Sequence, residues 1–512
     1  MNKLTALGCC IVAAAASSAF ADAKPNGIFS SHMVLQRDRA VPVWGTAEPG
    51  EQVTIRFAGN DLKATADAKG RWQATLPAMK WSAEPRTLVV AGKSNEVALE
   101  DVLVGDVWLV SGQSNAEMPL NQYVQNYKAE QARAKDFPNI RQVKFRHETA
   151  LYPQTGDPCC SAWKIVTDTV LNNVTAAGYF MVRELNEKTG IPMGILDDNW
   201  SGSRIEPFLN DKGIATVPEL AQEAEKIGKY REAMLKMAGR VAAAQADGDF
   251  GSLGTLPEPN AWTTQYNAMI APITKFPIVG LAWYQGCSNG GEEKPYIHKL
   301  TALINGWRTA WGYDFPVYVV QIAAFNPKTT DPQGGNHLSR VREAQRVVVQ
   351  RLPKCGLAVA IDIGDATNIH PHNKQDVGHR LALWARRDIY GEKGLVVSGP
   401  LFKSMKVEGS TLRLEFDHLG GGLVTAEKKP NTPGELPVET PGAELKGFAI
   451  TGADRKWTWA KAKIDGDTVV VSADGVDNPI AVRYAFRANP MGDCNLYNKA
   501  GLPASPFHTD EW

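Results

Sequence analysis

The sequence predicts an α/β protein: a parallel sheet with crossover helices, flanked on both sides by all-β regions. Three observations predict it. Residues 24–101 break into short alternating or β-branched segments separated by Pro-Gly, Gly-Asn and Lys-Gly turns, with no helical periodicity between them. From Val102 short apolar runs alternate with stretches whose apolar residues recur at helical spacing, the pattern of a parallel sheet. From Gly391 the short alternating texture returns.

Length and charge bound the rest. A chain of 512 residues is too long for one core and suggests about two to four domains. With 55 basic and 55 acidic residues the net charge is zero, so neither nucleic acid nor an anionic membrane is expected as a partner. Residues 1–21 read as a signal peptide: Asn2-Lys3, an Ala-rich apolar stretch to Phe20, then Ala19-Phe20-Ala21. Cleavage is expected after Ala21, which places the mature chain in a periplasm or outside the cell, with no membrane association after cleavage. Cys159, Cys160, Cys287, Cys355 and Cys494 then remain, an odd number that leaves at least one thiol unpaired. None has metal-site spacing, so no structural zinc and no other metal is expected.

Residues 22–103 read as an N-terminal β-sandwich domain, with strands at 40–45, 52–57, 71–76 and 87–90. Residues 104–390 read as the α/β domain. Its candidate strands are 107–110, 193–197, 278–283, 317–322 and 358–363, and its candidate helices 176–187, 295–311, 338–352 and 374–389. A helical insert at about residues 210–260 interrupts it. Within the insert, Leu220, Ala224, Ile227, Met234, Met237 and Val241 form one stripe, followed by a Gly-rich loop at 248–254. The insert is either a packing decoration or a cap over the cleft. Residues 391–512 read as a C-terminal β region, with strands at 394–399, 411–416, 448–450 and 468–472 and a Pro- and Gly-rich loop at 420–442.

Four polar stretches each follow a candidate strand of the α/β domain. Val107-Trp-Leu-Val-Ser-Gly112-Gln-Ser114-Asn115 is an apolar strand that stops at a glycine and presents a hydroxyl, where active-site groups of parallel sheets gather. A lone serine there is more often a helix cap. Asp198-Asn-Trp200-Ser-Gly202-Ser-Arg204 brings a glycine whose backbone can approach a ligand. Trp283-Tyr-Gln285-Gly286-Cys287-Ser-Asn289 brings two carboxamides. Asp365-Ala-Thr-Asn368-Ile-His370-Pro371-His372-Asn-Lys374 brings His370, the natural general base for a serine. The coincidence of four such stretches at one sheet edge raises Ser114 and His370 above structural roles.

Chain order narrows the type. An α/β-hydrolase elbow needs several strands before its serine, whereas Ser114 follows the first strand of the domain and its pentapeptide lacks the second glycine. An early serine and a late histidine fit an SGNH-type (flavodoxin-like) sheet. On Gly105-Asp-Val-Trp108, Gly112-Gln-Ser-Asn115, Tyr284-Gln-Gly286, Arg342-Glu-Ala-Gln345, Ile369-His-Pro371 with Lys374, Val482-Arg-Tyr484 and Asn495-Leu-Tyr-Asn498, the chain resembles the bacterial sialate O-acetylesterases of the SGNH-hydrolase superfamily. The resemblance runs from about Phe29 to the C-terminus. It implies hydrolysis of acetyl esters on sugars, with Ser114 as nucleophile and His370 as base.

The family pattern is departed from at Ala116, at Trp200-Ser201-Gly202-Ser203 and at Cys287, and most importantly at the third catalytic member. Relatives often carry Asp two residues before the histidine, where this chain has Asn368; three before stands Thr367. Asn368 through its amide oxygen, Asp365, or a backbone carbonyl are the candidates for orienting the imidazole. The oxyanion donors expected are the backbone N–H groups of Ser114 and Gly202 and an amide of Gln285 or Asn289. Arg204 is the nearest cation in sequence for a sialate carboxylate. No metal or organic cofactor is implied. The leading expectation is a secreted carbohydrate O-acetylesterase, nominally for sialate esters and acting on an acetylated sugar or oligosaccharide. Acetylated xylan or xyloglucan is the rival substrate, and a glycan-binding protein without catalysis the rival class.

Overall fold

The computed structural model describes residues 22–247 and 258–512. The expected signal peptide at 1–21 and the Gly-rich loop at 248–254 lie outside the described residues.

The strand Glu96–Gly112 organises the molecule. Its second half, from Val107 to Val110, is buried, as a central parallel strand covered on both faces must be. It pairs in parallel with Met193–Asn199 on one side and Gly280–Tyr284 on the other. The sheet runs in the order Lys164–Ile165, Ile140–Lys144, Met193–Asn199, Glu96–Gly112, Gly280–Tyr284, Val317–Val320, Cys355–Ala358. Every neighbouring pair is parallel except Lys164–Ile165 with Ile140–Lys144. The fold is therefore α/β with additional all-β sheets.

The first half of Glu96–Gly112 pairs antiparallel with Ser82–Ala91 and parallel with Val34–Gln36. The strand crosses residue 103 without interruption, so the N-terminal β part and the α/β part share a strand. A separate three-stranded sheet, Lys24–Pro25, Val41–Thr46 and Arg71–Leu76, packs beside it. In Arg71–Leu76 alternate residues are buried, as the period-two pattern predicts.

The helices Ala176–Thr189 and Lys374–Asp388 pack together on the sheet face where Tyr318 meets Trp384. Lys294–Trp311 covers the other face, where Trp283 packs edge-on against Trp307. These helices match the sequence reading to within two residues. The strand Ile140–Lys144 was not expected. Its Arg141 and Gln142 hide the apolar pattern, yet both are buried, Arg141 against Asp101 and Gln142 on the Asn173 carbonyl. The last strand is Cys355–Ala358 rather than 358–363. Among the described residues it pairs only with the four-residue Val317–Val320, so the ladder ends while the buried apolar run continues.

The expected insert helix is Ala221–Asp247 after a short turn at Pro218–Leu220. Of its stripe Leu220 and Ile227 are buried, while Ala224 is exposed. In the C-terminal region the expected strand at 394–399 is absent. Val397 and Ser398 are buried there, but the Ser398 carbonyl accepts the Asn498 side chain instead of a ladder partner. The expected loop at 420–442 holds the strand Leu423–Glu427, whose partner Leu496–Asn498 lies far along the chain.

Candidate active site

The site forms where the central strands end. Gly112 has φ +145°, and a Cβ there would lie 2.2 Å from the Tyr284 carbonyl oxygen, so only glycine fits this turn. Gln113 then ties two loops together. Its backbone N–H donates to the Tyr284 carbonyl at 3.1 Å, and its side-chain oxygen accepts the Gly286 N–H at 2.9 Å. A one-turn helix, Ser114–Glu117, follows, with half-buried Ser114 at its start.

His370 arrives from the loop between Cys355–Ala358 and Lys374–Asp388. Its Nε2 lies 2.8 Å from Ser114 Oγ, across 256 residues of sequence. Burial first, then the charges of Lys374 and His372, push the imidazole below its ordinary value. A hydroxyl held on a neutral imidazole at this distance can be deprotonated as it attacks a carbonyl carbon.

The other predicted residues divide. Asn368 does not orient the imidazole ring: its amide oxygen accepts the His370 backbone N–H at 2.9 Å, and its amide nitrogen lies 3.0 Å from His372 Nε2. Asp365 does not reach the ring either. Its Oδ1 caps the turn, accepting from the Thr367 N–H, the Thr367 hydroxyl and the Asn368 N–H at 2.8, 2.8 and 3.2 Å. Short side chains after Asp favour this local turn over a longer reach. Among the described residues, nothing hydrogen-bonds His370 Nδ1.

Both carboxamides in the third stretch are engaged by protein. Gln285 donates to the Ser203 carbonyl at 3.1 Å and to Asn289 Oδ1 at 2.9 Å, and accepts from Tyr296 at 2.8 Å. Asn289 donates to Glu206 and Glu292 and accepts the Ile205 N–H. Neither has an amide N–H to spare for an oxyanion; they brace the loop. Arg204 is likewise engaged, paired with Glu206 at 2.8 Å, with Glu292, and with the Ser288 carbonyl. Burial works against the Glu206 carboxylate, yet Arg204, Lys299 and Asn289 hold it at about 2. Arg204 is thus the half-exposed member of a charge network rather than a free cation. By contrast, the Gly202 N–H and the Ser114 N–H bond to no described residue.

Several residues beside the site gave little signal in the sequence. Glu117 stands three residues after Ser114, the spacing of a capping box, but reaches outward instead. Its carboxylate accepts the Ser201 N–H and hydroxyl, both at 2.6 Å, and pairs with His147 at 2.9 Å. His147 stacks on Trp200 with ring centroids 4.6 Å apart. Asn115 and Lys374, legible only as neighbours of Ser114 and His370, bond to each other in the interior. All five described cysteines are free, and burial pushes the Cys159 and Cys160 thiols up to about 12.

The chain is similar to known esterases along most of its length. The family described as carbohydrate esterase, sialic acid-specific acetylesterase, matches residues 254–386. Sialate O-acetylesterase of Mus musculus is 26% identical over 522 residues, covering 93% of this chain and 92% of the relative. That of Homo sapiens is 25% identical over 519 residues, covering 93% and 91%. A crystal structure of a carbohydrate acetylesterase from Xanthomonas citri superposes with TM-score 0.79 at 35% identity, covering 96% of this chain and 100% of that one. With that identity over the whole length of a solved carbohydrate acetylesterase, the chain belongs to the sialate O-acetylesterase family of carbohydrate esterases and is a carboxylic ester hydrolase.

Proposed function

We propose that this protein is a secreted carbohydrate O-acetylesterase that works through a Ser114–His370 dyad on an SGNH-type sheet. The observation that carries the reading is the 2.8 Å contact between Ser114 Oγ and His370 Nε2. His370 Nε2 takes the hydroxyl proton as Ser114 Oγ attacks the acetyl carbonyl carbon. The tetrahedral oxyanion is held by the N–H groups of Ser114 and Gly202. The sugar alcohol leaves with the proton from His370, and an acetyl group remains on Ser114. Water, deprotonated by His370, then attacks that acetyl group, and acetate departs as Oγ recovers its proton. Cleavage after Ala21 and export complete the reading.

An acidic sugar is favoured by charge. Arg204 is neutralised, but a groove of about 640 Å³ beside Glu117 is bordered by Lys144, Arg146, His147 and Lys164. Lys144 pairs with Asp197 and Arg146 with Glu148, while Lys164 makes no ion pair with any described residue. This groove suits a sugar carboxylate next to the ester. The stacked His147–Trp200 pair offers an apolar ring face to a neutral sugar as well, which keeps acetylated xylan and xyloglucan as the second reading.

The test is acetate release from 9-O-acetyl sialic acid and from acetylated xylan and xyloglucan oligosaccharides. Ser114→Ala and His370→Ala are each expected to lose roughly 10³-fold or more in kcat. Lys164→Ala is expected to raise KM for the acidic substrate and not for the neutral ones. Full activity in Ser114→Ala sinks the dyad; equal KM effects on both substrates sink the acidic preference.

A further inference from the structure

The interior beneath the dyad holds an ammonium that the proposed chemistry does not use. Lys374 is fully buried, and its Nζ donates to the Asn115 side-chain oxygen. Asn115 in turn donates through its side-chain nitrogen to the Ile369 carbonyl at 3.0 Å. Asn115 is the neighbour of Ser114, and Ile369 the neighbour of His370. The orientation of this carboxamide has no ambiguity. Lys374 can only donate and the Ile369 carbonyl can only accept, so the amide oxygen must face one and the nitrogen the other. The far side of the ammonium is covered by the Tyr284 ring, 5.2 Å from Nζ to centroid.

We infer that Asn115 and Lys374 form a positioning clamp that sets Ser114 and His370 against each other, taking the part a third triad residue plays in other serine hydrolases. The inference rests on the Ser114–His370 reading and deepens it. It answers the question left by His370 Nδ1, which bonds to no described residue. The imidazole loop is instead fixed from its backbone, at Ile369 by Asn115 and at His370 by Asn368. The Lys374 arm of the clamp is buried, so it is worth more than the same bond in water.

The clamp also carries charge to the base. Around the Lys374 ammonium stand Cys287, Tyr284 and His370. Burial pushes the Lys374 ammonium down to about 7, so over the acid limb it is charged, and a positive charge there disfavours the imidazolium and holds His370 in its basic form. That distinguishes it from an orienting carboxylate, which favours the imidazolium.

The experiment measures kcat, KM and the pH profile of kcat/KM on an aryl acetate for wild type, Asn115→Ala, Lys374→Met, the double variant and Ser114→Ala. Each single variant is expected to lose roughly tenfold or more in kcat with KM within about twofold. The double variant should be no worse than the weaker single, because the two act as one unit. Lys374→Met should also move the acid limb to higher pH. If Lys374→Met does not fold, kcat of Asn115→Ala decides. Folded variants with kcat near wild type and an unmoved limb overturn the clamp while leaving the dyad intact. Activity in Ser114→Ala overturns both.

Discussion

At the scale of single residues, the proposed base His370 is set by what surrounds it. Burial, Lys374 and His372 all push the imidazole below 6.5, and no carboxylate pushes back. A general base must be neutral, so kcat/KM should fall as pH drops through a value below 6.5. Asn368→Asp tests the sign. Its carboxylate can keep the His370 N–H that Asn368 accepts now, but adds a negative charge two residues from the ring. The imidazolium is then favoured, and the acid limb of the pH–rate profile should move up; a limb that stays or moves down refutes this account of the base. Ser114 and His370 were legible because each follows a strand of one sheet and each has one chemistry to offer. The roles of Asn368, Gln285, Asn289 and Arg204 were not. Their side chains have several possible partners, and the choice depends on Glu206, Glu292, Ser203 and His372, which sequence spacing does not bring together.

At the scale of elements, the loop that carries Gly202 is held by a helix of one turn. Glu117 accepts two hydrogen bonds from Ser201, the residue before Gly202, and a third contact comes from His147. Those bonds occupy the Ser201 N–H and leave the Gly202 N–H unpaired at φ +77°. Glu117→Ala should therefore loosen the proposed oxyanion donor, the Gly202 N–H, rather than a substrate contact. The expected loss is about tenfold in kcat, or ~1.4 kcal/mol in the barrier, with KM little changed. Glu117→Gln, which keeps one acceptor oxygen, should recover part of it. A rise in KM alone would place Glu117 in substrate binding instead. Element boundaries were legible where periodicity was strong, as in Lys294–Trp311 and His337–Arg351. They were not where a strand's pairing partner is remote, as for Leu423–Glu427 with Leu496–Asn498.

At the scale of the whole molecule, the C-terminal β region is bound into the site through one buried cation. Arg342 is 0% exposed and donates to the carbonyls of Ile322, Ala323, Arg487 and Ala488 at 2.6, 2.7, 2.7 and 2.7 Å. Burial pushes its guanidinium down to about 10. The Ala324 carbonyl, next in the chain, accepts the Asp365 N–H at 3.1 Å, and Asp365 caps the turn that leads to His370. On the other side of that loop, Asp362 pairs with Arg380 at 2.6 Å and accepts from Tyr497 at 3.3 Å. The histidine loop is thus held between the α/β sheet and the end of the chain, and one continuous core runs from Ala23 to Phe507. Replacing Arg342 by Met strands three buried carbonyls at once and leaves the fourth, Ala488, with only the Phe325 N–H. That should cost roughly 3–5 kcal/mol, a large share of the ~5–15 kcal/mol that holds a typical fold. Thermal unfolding followed by circular dichroism should show Arg342→Met melting several degrees below wild type in one transition. A fragment ending at residue 390 should lack both a stable fold and esterase activity, because Arg342 loses the Arg487 and Ala488 carbonyls and the histidine loop loses its Tyr497 contact. An active, folded fragment would show instead that the C-terminal region only decorates the esterase.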